Sequence, residues 1–311
     1  MNIRPETPHD YAAIATINAR AFSNRPDEAL IVALHRHRAD FDPDLSLVME
    51  SDGQIIGHVL FSPQTIRLMD ENVRAVNLAP IAVDPLYQRQ GIGGNLIAEG
   101  HRVAIEKGYQ LSYLLGHSAY YPRFGYKTGA YGNASVTVDT ATLGKVGTLE
   151  TRVPTPDDVA GLHALWEYEE GAVDFSVDPG RGFLDWVNAN PAVQTRVYLD
   201  GVEVVGYTRI ETHDMDKPRM FLAKSPEYAR MIAVNVADHV PDSNVVTLPL
   251  HPYSKSASAF EKGTCTAWDA GMAMTLTESP FDDYYALVKA GERLPGRPVW
   301  PVAFEMEGIL S

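Results

Sequence analysis

Ala79-Pro80-Ile81-Ala82-Val83-Asp84-Pro85-Leu86-Tyr87-Gln88-Arg89-Gln90-Gly91-Ile92-Gly93-Gly94-Asn95-Leu96-Ile97 runs an apolar strand into a glycine-rich turn and then into a helix of at least 12 residues. Backbone N–H groups at a helix start have no intrahelical partner and carry the positive end of its dipole. With no Cβ at positions 91, 93 and 94, an anionic phosphate can approach those groups closely. The turn therefore reads as a pyrophosphate cradle. A Walker loop would need Lys and then Ser or Thr after Gly94, where Asn95 and Leu96 stand. A dinucleotide fingerprint starting at Gly91 would need its third glycine where Leu96 stands.

Outward from this loop, periodicity and turn residues predict a strand over 2–5, helices within 9–38 and a strand over 45–50. Ser51-Asp52-Gly53 turns that strand into another over 54–62, forming a hairpin. There follow a strand over 72–83, a helix over 91–107, a strand over 110–115, a short helix near 118–123 and strands within 124–139. The second half reads as strands over 195–199 and 202–211, a helix over 226–238 and a strand over 244–250. Alternating strands and helices around a central sheet give the class α/β (α+β).

Arg4-Pro5-Glu6-Thr7-Pro8-His9-Asp10-Tyr11-Ala12 resembles Arg152-Val153-Pro154-Thr155-Pro156-Asp157-Asp158-Val159-Ala160 at a spacing of 148. Gly57-His58-Val59-Leu60-Phe61 has a counterpart in Gly206-Tyr207-Thr208-Arg209-Ile210, in the same order. Duplication is the reading of these ordered matches, and the small, flexible stretch 142–148 serves as linker. The expected domains are 1–141 and 149–311.

The 311 residues are 45% hydrophobic and 21% charged, enough for sizeable cores. The net charge of −14 disfavours nucleic acid and acidic membranes as partners. It is unevenly spread, since residues 1–148 hold 13 basic and 15 acidic side chains and the remainder 13 and 25. A single cysteine, Cys265, excludes an internal disulfide framework and a cysteine-based zinc cluster, and no metal site is expected. The start lacks the apolar core of a signal peptide and no apolar run approaches about 18 residues, so a cytoplasmic protein is expected.

Gln88-Arg89-Gln90-Gly91-Ile92-Gly93 fits the pattern Gln/Arg-x-x-Gly-x-Gly/Ala and resembles the acetyl-CoA pyrophosphate loop of the GNAT superfamily of N-acetyltransferases. Downstream, Leu114-Leu115-Gly116-His117-Ser118-Ala119-Tyr120-Tyr121-Pro122-Arg123-Phe124-Gly125-Tyr126 looks like the closing segment of one bacterial subfamily. The resemblance covers residues 2–139. It implies a mixed central sheet flanked by helices, with acetyl-CoA as cosubstrate held by Gln88, Arg89, Gln90, Gly91, Ile92, Gly93 and Gly94. It also implies that backbone groups of Ile81, Ala82 and Val83 pair with the pantetheine arm. The second half has Tyr228-Ala229-Arg230-Met231-Ile232-Ala233-Val234 where the loop should be, and reads as a degenerate GNAT-like domain.

Acetyl transfer needs a neutral amine, a stabilised thioester oxygen and a proton for the departing thiolate. A phenol of pKa about 10 suits that last role, and the resemblance assigns it to Tyr121, four residues before Gly125. His117 and Glu28 are the candidates for a base, with a water chain as the alternative. Arg36 and Arg123 are candidates for holding a phosphate or carboxylate, with a structural ion pair the favoured reading of Arg123. Cys265 has no activating neighbours, so direct attack in a ternary complex is expected rather than an acyl-enzyme. His213-Asp214-Met215-Asp216 reads as a polar turn. Glu167, Glu169 and Glu170 form an acidic run, read as a solvated helix face or as the rim of a cleft attracting a cationic amine. The expected partner is thus a small-molecule primary amine, with the acidic half shaping its site or an oligomer interface. A non-catalytic acyl-CoA-binding module is the alternative class.

Overall fold

The computed structural model describes residues 1–241 and 243–306. Its elements in chain order begin with β1 (Asn2–Pro5), α1 (Tyr11–Ala21), α2 (Asp27–His35), β2 (Ser46–Ser51), β3 (Gln54–Leu68) and β4 (Glu71–Val83). Next come α3 (Ile92–Glu106), β5 (Leu111–Leu115), β6 (Lys127–Thr128) and β7 (Gly132–Asp139). The chain continues through β8 (Glu150–Arg152), α4 (Val159–Glu170), β9 (Ser176–Val177), β10 (Val193–Asp200), β11 (Glu203–Glu211) and β12 (Met220–Ala223). It ends with α5 (Pro226–Ala237), β13 (Val245–Leu248), β14 (Thr264–Ala267), β15 (Gly271–Thr275) and α6 (Phe281–Ala290).

The chain forms two compact units that differ from the expected ranges 1–141 and 149–311. The first comprises 1–66, 71–130 and 268–293, and the second 67–70, 131–267 and 294–311. The passage between them falls at 130/131, ahead of the 142–148 stretch, because β7 pairs on one edge with β13 and on the other with β14. The chain then returns to complete the first unit, where β15 pairs antiparallel with β5 over Gly271–Thr275.

The first unit's sheet runs β1-β2-β3-β4-β5-β15-β6. Strand alternation sends Leu47, Met49, Val59 and Phe61 to one face, against Leu96 and Ile97 of α3. It sends Val48 and Leu60 to the other, against Ile14 of α1 and Val32 of α2. Each such fully buried aliphatic side chain contributes about 1.5–3 kcal/mol over an exposed one. A buried polar chain ties the layers together. Asn18 Nδ2 donates to Ile14 O (2.9 Å) and to His58 Nδ1 (3.2 Å), which leaves His58 Nε2–H to donate to Ser46 Oγ (3.0 Å). Ser46 Oγ donates to Glu6 (2.8 Å), whose two oxygens also take Arg36 Nε and Nη2, each at 2.8 Å. Burial, aided by Arg36, pulls the His58 imidazole down to about 3, so it stays neutral.

In the second unit β12-β11-β10-β8 form one sheet and β13-β7-β14 another. The first is packed by Leu162, Leu165 and Trp166 of α4 and by Ile232, Ala233 and Val236 of α5. The repeated Arg…Thr-Pro…Asp segment forms the same device in both units. Asp10 takes Thr7 N (2.7 Å), Thr7 Oγ1 (2.8 Å) and the Arg4 guanidinium (2.7 and 2.9 Å). Asp158 takes Thr155 N (2.7 Å), Thr155 Oγ1 (2.9 Å) and Arg152 (2.6 and 2.8 Å).

The acidic run on α4 is not a solvated face. Glu169 and Glu170 are 0% and 1% exposed, and only Glu167 reaches solvent. Arg297 Nη2 donates to both oxygens of Glu170 (2.6 and 2.7 Å), and Ser254 Oγ adds a third bond (3.1 Å). Glu169 takes Ser256 N (3.0 Å) and Ser256 Oγ (2.8 Å). The guanidinium pairs with Glu170 alone, and burial and the neighbouring Glu170 push Glu169 up to about 8. Folded protein therefore keeps this proton, while an unfolded carboxyl loses it above about 4.3. Stability falls as pH rises through that window, by at most about 1.4 kcal/mol per unit. Thermal unfolding of Glu169→Gln followed from pH 5 to 8 is expected to show a shallower decline than wild type. Identical slopes would remove Glu169 as the source.

Candidate active site

β4 and β5 run parallel and pair at Ala75–Leu111, Val76–Ser112 and Asn77–Tyr113. Past Asn77 no pairing between them continues among the described residues, although β4 extends to Val83 and β5 to Leu115. The β5-facing edge of Leu78–Val83 is left with open backbone groups that need a partner.

The end of this strand carries the glycine loop. Gln88 Nε2 donates to Val83 O (3.2 Å), and Asp84 takes both Leu86 N (2.9 Å) and Arg20 Nη1 (2.6 Å), tying the loop to α1. Arg89 and Gly91 both adopt positive φ, at 62° and 82°. Glycine bears that conformation without strain, and Gly91 as N-cap of α3 offers no side chain to its N–H groups. The first-turn N–H groups of Ile92, Gly93 and Gly94 thus face outward with no intrahelical acceptor. Ile92, Leu96 and Ile97 are buried beneath them and hold the helix start in place.

A cleft of about 770 Å³ opens here, entirely within the first unit. Of the anticipated cofactor residues, Ile81, Val83, Gln88, Arg89, Gly91, Ile92, Gly93 and Gly94 line it. Ala82 and Gln90 do not: Ala82 is buried and Gln90 is exposed to solvent. Tyr121 lines the same cleft, in a short 3-10 turn over Tyr121–Phe124. Its ring lies so close to Gly116 that a Cβ there would fall 2.4 Å from Cε2, so only glycine admits it. Burial, with a smaller contribution from Tyr120, pushes the Tyr121 phenol up to about 12, and its hydroxyl makes no hydrogen bond among the described residues. Below it, Tyr126 Oη bonds Ser112 Oγ (2.6 Å) and His101 Nε2 (2.9 Å), fixing the closing segment to β5 and α3.

The other candidates separate clearly. His117 lines the cleft, and its exposed ring has no partner among the described residues. Glu28 is half-buried on α2, its carboxyl raised by burial, and it is not among the cleft residues. Arg36 is committed to Glu6 and stacks 3.7 Å over Tyr11. Arg123 makes no ion pair among the described residues and lines the cleft. Cys265 donates to Pro295 O (3.1 Å), and burial pushes its thiol up to about 11, away from the thiolate. Asp214 and Asp216 lie against Lys217, and no group of metal-binding geometry occurs among the described residues. Sequence reasoning did not name Ala21 and Phe22, which form a further part of the wall at the end of α1. Nothing in their spacing marks them, since the fold alone brings that helix end to the loop. No helix among the described residues is long and apolar enough to cross a membrane.

A family model described as an acetyltransferase (GNAT) domain matches residues 2–129. The uncharacterised N-acetyltransferase YhbS of Escherichia coli is 37% identical over 132 residues, which are 42% of this chain and 76% of that protein. A GCN5-related N-acetyltransferase from Kribbella flavida shares the fold over 88% of this chain and 70% of its own, with a TM-score of 0.67 at 17% identity. A GNAT family acetyltransferase from Brucella melitensis, solved in complex with acetyl-CoA, is 38% identical and covers 40% of this chain and 82% of its own, with a TM-score of 0.37.

Glycine at 93 keeps the helix start open: a Cβ there would lie 3.2 Å from Tyr120 Oη and 3.8 Å from Ile81 Cδ1. Should the helix start hold CoA, Gly93→Leu would weaken its binding about tenfold or more, about 1.4 kcal/mol. Calorimetric titration with CoA checks this.

Proposed function

Because the chain belongs to the GNAT family of N-acetyltransferases, we propose that it moves the acetyl group of acetyl-CoA to a primary amine of a small molecule, by direct attack in a ternary complex. One observation carries the reading: the uncapped helix start, the open edge of β4 and the Tyr121 hydroxyl share one cleft. The residues fit the cosubstrate, because the loop presents N–H groups and Arg89 while no carboxylate lines the cleft. Acetyl-CoA supplies the activated acyl group and a thiolate leaving group.

In this reading the first-turn N–H groups of Ile92, Gly93 and Gly94 hold the pyrophosphate, with Gln88, Arg89 and Gln90 completing the loop. Backbone groups of Ile81, Ala82 and Val83 hold the pantetheine arm in the place a neighbouring strand would take. Tyr121 keeps its proton throughout the neutral range, since its phenol is raised by burial. It donates a hydrogen bond to sulfur and yields the proton as thiolate charge develops. The same rise makes it a weaker acid than a free phenol, so the transfer completes late. His117 is the cleft residue chemically suited to accept the ammonium proton of the acceptor.

The buried state of Glu169 and Glu170 removes the carboxylates that argued most directly for a cationic acceptor. The acceptor is therefore proposed only as a primary amine.

Thiol release from acetyl-CoA with a panel of amino acids, polyamines and aminoglycosides tests the function. Acetylation of at least one amine is expected, whereas tight CoA binding without turnover across the panel would make the chain a CoA-binding module. With a working amine, Tyr121→Phe is expected to lower kcat about a hundredfold while leaving CoA affinity near wild type. Wild-type turnover in that variant would remove Tyr121 from the mechanism.

A further inference from the structure

Leu115, the last residue of β5, is 42% exposed although its strand lies inside the sheet. Alternation sends Leu114 to the α3 side and Leu115 to the opposite face. Pairing with β4 has ended by this point, so that flank of Leu115 has no strand neighbour among the described residues. On the other flank its register partner is Gly271, which has no side chain to lay over it. Ahead of Gly271 runs a turn closed by Gly271 N donating to Trp268 O (2.8 Å). It carries a second apolar side chain into solvent, since Trp268 is 39% exposed. Asp269 follows in the same turn, exposed and with no ion pair or side-chain hydrogen bond among the described residues.

This turn is fastened to the closing segment of the site. Gly116 N donates to Ala270 O (3.0 Å), and Gly116 is the residue whose missing Cβ admits the Tyr121 ring. The next residue, His117, lines the cleft. All of these residues belong to the first unit. One glycine thus ties Tyr121 and His117 to an exposed apolar surface that ends in a carboxylate. In the reading above the cosubstrate fills the cleft from the glycine loop, which leaves the face bearing Leu115 for the acceptor. We propose that Leu115, Trp268 and Asp269 form the acceptor subsite and select a primary amine carried on an apolar body without a carboxylate, an arylalkylamine being the simplest case. The body covers Leu115 and Trp268 and takes both out of water. Asp269 draws in the cationic ammonium and repels a carboxylate. In the transfer the C–N bond forms as the thioester C–S bond breaks. Of the two protons the ammonium sheds, the balance sends one to the thiolate, by way of Tyr121, and one to solvent, by way of His117. The product amide is neutral, so Asp269 no longer holds it. This rests on the acetyl-transfer reading and narrows its acceptor.

Phenethylamine, phenylalanine and spermidine are compared as acceptors for wild type, Trp268→Ala, Trp268→Phe and Asp269→Asn, alongside calorimetric titration of phenethylamine into the CoA-loaded protein. Phenethylamine is expected to exceed both others in kcat/KM, and phenylalanine by about a hundredfold. Trp268→Ala is expected to raise the KM for phenethylamine about tenfold and to leave CoA affinity unchanged, with Trp268→Phe close to wild type. Asp269→Asn is expected to bring phenethylamine and phenylalanine about tenfold closer together. Equal use of phenylalanine or spermidine, or an unchanged KM in Trp268→Ala, overturns the proposal and leaves acetyl transfer standing. Phenethylamine that binds the CoA-loaded protein and is weakened by Trp268→Ala, with no thiol released from acetyl-CoA, overturns the acetyl-transfer reading and keeps the subsite. Phenethylamine that neither binds nor turns over overturns the subsite outright.

Discussion

The site depends on the parting of β4 and β5 after Asn77 and Tyr113. Parallel strands are held by evenly spaced hydrogen bonds, and breaking that ladder inside a sheet exposes backbone groups that must find partners. The local sequence favours the break. Pro80 has no N–H to offer a neighbouring strand, and just past the end of β5 Gly116 admits the Tyr121 ring against the backbone. β15 secures the other edge of β5, so that strand remains part of the sheet while its partner diverges. The gap is thus a property of the sheet, and the glycine loop sits at its mouth because it directly follows the diverging strand.

What keeps the gap from collapsing is packing on both sides of it. α3 is pinned by Ile92, Leu96 and Ile97 on one face of the sheet, so the helix start cannot slide over the opening. On the other face α1 is bonded through Asn18 to His58, and Arg20 of the same helix bonds Asp84 at the head of the loop. The desolvated, neutral imidazole of His58 is satisfied at both nitrogens, which makes this polar chain a rigid link and not a titrating one.

Local patterns exposed much of this and hid the rest for definable reasons. The glycine loop, the helix after it and the tyrosine segment are continuous in sequence, and continuous signals were enough to bring eight loop and strand residues and Tyr121 to one cleft. Contributions from distant segments were not legible. β15 is a five-residue strand whose partner lies more than 150 residues earlier, so nothing nearby announces that it completes the first sheet. Glu169 and Glu170 carried a readable signal that charge overrode: Leu162, Leu165 and Trp166 set a helical stripe, and one further turn places both glutamates on its buried side. Their partners lie far along the chain, Ser256 for Glu169 and Arg297 for Glu170, 87 and 127 residues away, which is why two acidic side chains looked like a solvated face. Arg36 was misjudged for the same reason, since Glu6 reaches it only once β1 and α2 have folded together.

The same local device opens the first helix of each unit, while their later helices start differently. Both use an aspartate that accepts two bonds from a threonine and two from an arginine to start their first helix. Both place a later helix after a strand at the corresponding position, yet the helix starts are finished differently. At α5 the N-cap is Ser225, whose Oγ takes Tyr228 N, and Pro226 replaces one N–H altogether. At α3 the N-cap is Gly91, and every first-turn donor is left for something outside the chain. A capped start is a stabilising device, and the glycine start of α3 leaves room for the anion that the proposed function places there. The difference rests on a few side chains at the helix start, so a shared starting device says nothing about shared chemistry.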